Sequence, residues 1–163
     1  MRIGIISDSH DHHENVRAAV ALLQKHEVET VLHGGDIVSP FTAKAFSDVG
    51  AKFIAVYGNN DGEKLFLRST IDGFGGEIHP YCYKGTLGGK SVFMTHTQHD
   101  IEEVAASGMH DIVVYGHTHK QDIRRVGRTL VINPGESTDW ITGQGHLVIL
   151  DTETMETTVE KIN

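Results

Sequence analysis

Thiol chemistry has almost nothing to work with in this chain. Among 163 residues there is one cysteine, Cys82, which excludes an intramolecular disulfide framework and any cysteine-rich zinc site. Cys82 lies in Pro80-Tyr81-Cys82-Tyr83 with no activating neighbour and reads as a small strand residue. Long apolar runs are missing too: none approaches the roughly 20 residues of a membrane helix. The apolar start Ile3–Ile6 is too short for a signal-peptide core and runs straight into Asp8-Ser9-His10. A cytoplasmic location and no membrane partner are therefore expected. Positive charge is scarce: 14 Lys and Arg stand against 22 Asp and Glu, a formal net charge of −8. With no basic-aromatic stripe, stable nucleic-acid binding is not expected. Any phosphate ligand must find its positive charge locally.

Only three prolines interrupt the chain, and it shows no linker, low-complexity tract or internal repeat. The length suits one domain spanning residues 1–163, large enough to bury its own core. Apolar residues make up 39% and charged residues 22%, as in an ordinary folded protein. The excess is in histidine, 12 in all, several beside Asp or Gly.

Short apolar runs predict strands at Arg2–Ser7, Thr30–His33 and Lys52–Tyr57. Between them, Val16, Ala19, Val20 and Leu23 recur at helical spacing within His13–Lys25, and Pro40–Val49 suits a helix with Pro40 in its first turn. This β-α-β-α-β opening argues for a layered α/β domain with a partly parallel sheet. The second half is richer in strands. Ile78–Tyr83 and Ser91–Thr95 are expected as strands joined through Gly85–Gly89, with a short helix at Asp100–Ser107. Further strands are expected at Ile112–Tyr115, Ile123–Val126, Leu130–Ile132, His146–Leu150 and Thr157–Ile162. Two sheets packed together and flanked by helices follow.

The chemically interesting residues recur at one kind of place, just after an apolar strand. Asp8 and His10 follow the first, Asp36 the second, Asn59 the third, His96 the run Ser91–Thr95, and His117 with His119 the next. Carboxyl ends of strands are where ligands bind in open α/β sheets, so the clusters can converge on one site. Asp8/His10 and His117/His119 are each two apart, and extended backbone would point both members of a pair the same way. Carboxylate, imidazole and amide oxygen without thiolate suit Mn, Fe, Zn, Ni or Co better than Ca or Mg. Two Asp, one Asn and four His are too many ligands for one tetrahedral ion and about right for two ions sharing a carboxylate. Two such ions, roughly 3.5–4 Å apart, can hold a bridging hydroxide and clamp a phosphoryl group. They would also supply the positive charge that the chain as a whole lacks. Singly, each fragment has a blander reading. Asp-x-His and Gly-Asp are common turns or caps, and Gly58-Asn59-Asn60-Asp61-Gly62 could be tight-turn chemistry alone.

In this order the fragments resemble the calcineurin-like metallophosphoesterase superfamily. Its pattern is Asp-x-His, Gly-Asp, Gly-Asn-His-Asp/Glu, His and Gly-His-x-His. This chain has Asp8-Ser9-His10, Gly35-Asp36, Gly58-Asn59-Asn60-Asp61, His96 and Gly116-His117-Thr118-His119. Asn133-Pro134-Gly135 extends the likeness to a small bacterial and archaeal phosphodiesterase branch related in fold to the retromer subunit Vps29. The resemblance implies a four-layer α/β/β/α sandwich, two mixed β-sheets flanked by helices. It implies two divalent metal ions per chain, manganese first, with Ni, Fe, Co or Zn as alternatives. Asp8, His10 and His119 would hold the first ion, Asn59, His96 and His117 the second, and Asp36 would bridge them. Asn59, His96 and His117 are the catalytic set so implied, with Asn59 also orienting the phosphate. A homo-oligomer is usual for the branch.

One departure concerns the leaving group. The family's general pattern places histidine after the Asn, where this chain has Asn60. An amide cannot act as a general acid near neutral pH, so Asn60 is read as substrate-facing rather than catalytic. Asp61 then has no histidine to orient and is read as a turn residue. His12 either faces the cleft and substrate or merely starts the first helix, and His33 either supports a ligand from behind or packs. Glu136 follows Asn133-Pro134-Gly135 where many branch members carry Ser. The expected activity is hydrolysis of a small or nucleotide-like phosphodiester. A phosphomonoesterase on the same site and a non-catalytic, metal-bound interaction scaffold are the rivals. The complete set of seven coordinating side chains favours an enzyme over the scaffold.

Overall fold

A computed structural model describes residues 1–162. Along the chain the elements are β1 (Arg2–Ile6), α1 (His13–Lys25), β2 (Thr30–His33), α2 (Pro40–Ala45), β3 (Lys52–Val56), α3 (Lys64–Gly73) and β4 (Glu77–His79). There follow β5 (Cys82–Leu87), β6 (Lys90–Thr95), α4 (Ile101–Ala106), β7 (Ile112–Val114), β8 (Gln121–Val126), β9 (Thr129–Pro134), β10 (His146–Asp151) and β11 (Thr157–Lys161). The first sheet runs β11-β10-β1-β2-β3-β4 and the second β5-β6-β7-β9-β8. Both are mixed: β1 to β4 pair in parallel, as do β6, β7 and β9, and the remaining pairings are antiparallel.

Strands of the first sheet are apolar on both faces because both faces are covered. Ile3, Ile5, Leu32, Ile54 and Val56 point toward the second sheet and meet Val92, Met94, Ile112, Val114 and Ile132. Their alternates Ile6, Val31, Phe53 and Ala55 point outward, onto Val16, Ala19 and Leu23 of α1 and Leu67 and Ile71 of α3. On the far side α4 packs Ile101 and Ala105 over Val113 and Val131. The expected four layers, helix, sheet, sheet, helix, are thus observed.

Three details differ from the sequence reading. The single strand expected over Ile78–Tyr83 is two strands in different sheets, because Pro80 lacks the N–H a continuous ladder needs. The helix expected over Pro40–Val49 ends at Ala45 and tightens into a 3-10 turn, Phe46–Val49, closed by Gly50 in left-handed backbone. Helix α3 was not anticipated. Only Leu67 and Ile71 of its apolar residues are buried, while Leu65 and Phe66 are exposed, so no clean apolar stripe marks it.

Candidate metal centre

Five loops, after β1, β2, β3, β6 and β7, meet at the strand ends, three from the first sheet and two from the second. Backbone hydrogen bonds join them: Asp8 N–H donates to Gly35 O at 3.0 Å, His10 N–H to Asp36 O at 3.0 Å, and Gly116 N–H to His96 O at 2.9 Å. The loops do not continue extended. Asp8, His10, Asp36, His117 and His119 all have left-handed backbone, with φ between 39° and 67°. The pairs Asp8/His10 and His117/His119 therefore converge through tight turns, contrary to the expectation that extended spacing would align them. Each left-handed L-residue costs about 1–2 kcal/mol, with Asp, Asn and His the usual non-glycine occupants. That cost is concentrated here: Asp11 and Val38 are left-handed in the same loops.

The side chains so placed form two overlapping groups of donor atoms, Asp8 with His10 and His119, and Asp8 with Asp36 and His96. Within each group the atoms lie within 4.8 Å of one another. His10 Nε2 is 3.9 Å from Asp8 Oδ1 and 3.5 Å from Asp36 Oδ2. His119 Nε2 is 3.5 Å from Asp8 Oδ1 and 3.3 Å from His10 Nε2. His96 Nε2 is 3.5 Å from Asp36 Oδ2 and 2.9 Å from Asn59 Oδ1. The His117 ring lies 5.1 Å from that of His96, and the His117 backbone N–H donates to Asp8 Oδ2 at 3.0 Å. All seven sequence-derived ligand positions thus fall in one cluster.

Electrostatics there are unusual. Asp8 is fully buried, and burial raises its pKa above the ordinary carboxylate value. Burial works in the same direction on Asp36, but the neighbouring His96 and two bonds from Asn60 outweigh it and hold Asp36 well below the usual range. Burial disfavours the His96 cation, yet the Asp36 carboxylate overcomes it and raises the His96 pKa. His96 Nδ1 faces Gly34 O at 2.8 Å while its Nε2 faces two oxygen acceptors, so both ring nitrogens point at oxygens that favour the cation. His119 Nδ1 donates to Glu136 Oε2 at 3.0 Å, which turns the Nε2 lone pair toward Asp8 and His10. Imidazole lone pairs and carboxylates converging on one small buried volume are the donor set of a divalent transition metal, and the residues present fit such ions.

Positions around the cluster divide differently from the sequence reading. Asn60 donates from both its backbone N and Nδ2 to the two oxygens of Asp36, at 2.7 and 2.8 Å, so its amide leans on that carboxylate. His33 is fully buried and does not face the cleft. It accepts from Gly35 N–H at 3.2 Å, and its other nitrogen lies 3.1 Å from Ser9 Oγ, joining the first two loops from behind. Burial drops its pKa to about 3, so the ring is neutral. His12 caps α1, accepting from Asn15 N–H at 3.3 Å, and turns Nε2 toward Asp139 at 3.6 Å.

Two residues matter more than the sequence suggested. Asp61, read as a turn residue, is buried and accepts from Gly58, Val38 and Asp36 N–H at 2.6, 2.7 and 3.2 Å, fixing two loops at once. Gly58 is required beside it, since a Cβ there would run into Asp36. Glu136 is completely buried and accepts from His119, Thr138, Ile141 and Thr142. Burial works to raise its pKa, and these bonds overcome it, holding the carboxyl at about 2. The only sequence signal for either was position: an acid two residues after Asn59, and one directly after Asn-Pro-Gly. Asn133 of that motif donates to Gly116 O at 2.9 Å and so supports the His117 loop.

Comparison with known proteins identifies the family and the fold. Over 159 residues, 96% of each chain, this sequence is 42% identical to phosphodiesterase MJ0936 of Methanocaldococcus jannaschii. A solved archaeal phosphodiesterase superposes with a TM-score of 0.94 at 40% identity, covering 99% of both chains. The Yfce phosphoesterase of E. coli, at 19% identity and a TM-score of 0.72 over both whole chains, shares the fold. So does zinc-complexed Vps29 of Entamoeba histolytica, at 17% and 0.70 over both whole chains. Residues 1–155 match the calcineurin-like phosphoesterase superfamily domain, and the chain belongs to that superfamily.

Proposed function

We propose that this phosphoester hydrolase is a phosphodiesterase for small phosphodiesters, working with two divalent metal ions, manganese first among them, in the cytoplasm. The observation that carries the reading is the pairing of two buried carboxylates, Asp8 and Asp36, with imidazoles from both sheets in one cluster. Asp8, His10 and His119 would hold one ion, and Asn59, His96 and His117 the other, with Asp36 between them. When bound, the ions supply Lewis acidity and lower the pKa of the attacking water. Two doubly charged ions carry more positive charge than the two carboxylates cancel, so such a pair would give an anionic diester an attractive site on an acidic protein.

The protein's own groups do the rest. Glu136 and Gly34 fix the tautomers of His119 and His96. Asp61 holds the Asp36 and Asn59 loops in register. Asn59 is exposed, with Oδ1 toward His96, and its amide would orient a phosphate oxygen. Asn60 cannot protonate a departing oxygen near neutral pH, so diesters with good leaving groups are the better substrates. The test is hydrolysis of an aryl phosphodiester and the matching monoester by metal-stripped protein, with Mn, Ni, Zn and Mg added back separately. Chelator-sensitive turnover favouring the diester is expected. Full metal loading without turnover of either ester would overturn the reading.

A further inference from the structure

Trp140 is the chain's one tryptophan, and 62% of it is exposed at the edge of the metal centre. Its ring centroid is 5.5 Å from that of His12 and 6.4 Å from that of His10. A single exposed aromatic is ordinary on a protein surface; what sets Trp140 apart from exposed Phe41 and Tyr81 is its ring contact with His12 and His10 beside the candidate ligands. The segment bearing it is held firmly. Glu136 accepts from the backbone N–H groups of Ile141 and Thr142, at 3.0 and 2.6 Å, and from the hydroxyls of Thr138 and Thr142. The same carboxylate orients His119. One buried anion therefore anchors both a candidate metal ligand and the backbone just after Trp140, while the indole itself lies against the His12 and His10 rings.

Resting on the phosphodiesterase reading, we infer that Trp140 is a specificity residue, the platform on which a planar aromatic substituent of the ester, nucleobase or aryl ring, stacks while the phosphate sits at the metal centre. Base–aromatic stacking of this kind tolerates any ring, since every base has a π-face. The platform distinguishes ring-bearing esters from alkyl ones without a hydrogen-bonding pocket.

Because Trp140 is the sole tryptophan, its fluorescence reports on this position alone. The experiment titrates manganese-loaded protein with thymidine 5′-monophosphate, phenyl phosphate and methyl phosphate, following tryptophan emission and, in parallel, heat of binding. The wild type is expected to bind the first two more tightly than methyl phosphate, with emission quenched by the ring-bearing ligands. In Trp140→Ala the preference for ring-bearing ligands over methyl phosphate falls by roughly 5- to 100-fold, and Trp140→Phe retains most of it. Loss with the nucleotide alone, or with phenyl phosphate alone, identifies which ring the platform serves. Equal affinity for all three ligands, unchanged by either substitution, overturns the platform and leaves the phosphodiesterase reading standing. Failure of all three to bind metal-loaded protein overturns the platform, and it overturns the phosphodiesterase reading too only if that protein also leaves an aryl diester uncleaved.

Discussion

Glu136 Oε2 lies 3.0 Å from Nδ1 of His119, although the two residues are 17 apart in the chain and the carboxylate has no exposure to solvent. Partners that orient a metal-binding imidazole from behind typically govern affinity by 10- to 100-fold. Glu136→Gln keeps the shape but loses the charge that fixes the His119 tautomer. Manganese affinity, measured by calorimetric titration, is expected to fall about 10- to 100-fold, with the circular dichroism spectrum unchanged. Wild-type affinity in the variant would remove Glu136 from the centre.

His117 lies on the second sheet's side of the cluster and contacts His96 edge to face. His117→Ala is expected to lower turnover of an aryl diester by at least about 100-fold while the protein stays folded. Metal content measured by atomic emission should drop from two ions per chain toward one. Full rate in metal-depleted buffer would sink the two-ion assignment.

Asp61 is the sole carboxylate acceptor for three N–H groups on two loops. Removing it strands those donors, and a buried unsatisfied polar group costs about 1–3 kcal/mol. Asp61→Ala is expected to destabilise the metal-stripped protein by roughly 2–4 kcal/mol, read from the urea midpoint. Asp61→Asn, which keeps an acceptor oxygen, should recover part of the loss. A midpoint unmoved by the alanine variant would mean the loops hold without it.

Asp111, just ahead of β7, ties β6 to the turn between β8 and β9. It accepts from Ser91 N–H at 2.9 Å, Ser91 Oγ at 2.8 Å and Arg128 at 2.8 Å. The bond from Ser91 backbone, then those from Arg128 and Ser91 side chains, lower its pKa from 3.8 to about 2. A folded-state pKa below the unfolded one contributes stability that is present above the unfolded value and lost as pH falls through the folded one. Wild type is therefore expected to lose stability relative to Asp111→Asn as pH drops from about 4 to about 2. Urea midpoints collected across that range for both proteins test it, and parallel curves would refute it.

How much of this was legible in the sequence depended on the range of the interaction. Asp8, Asp36, Asn59, His96, His117 and His119 stood out because each directly follows an apolar strand, and strand ends converge by topology. Two packed sheets flanked by helices followed from short apolar runs and helical spacing, and the four-layer order from the family resemblance. Left-handed backbone at His10 and His119 was invisible, since no local signal separates it from extended spacing. Asp61 and Glu136 were misread or left open because their roles lie in bonds to residues distant in the chain, or in loops whose turns had to be seen first. Pro80 was legible as a breaker in principle, but the switch of sheets it marks is a tertiary fact.

The donor groups are drawn from both sheets, Asp8, His10, Asp36 and Asn59 from one, His96, His117 and His119 from the other. The centre therefore straddles the seam of the sandwich, and Ile3, Ile5, Leu32 and Val114 beneath it act as spacers that set the gap. Trimming a spacer by one methylene costs about 1 kcal/mol, which a folded domain of this size survives. The gap between the two halves of the ligand set would still change. Interior drift in this protein should thus be purged through lost activity well before it is felt as unfolding.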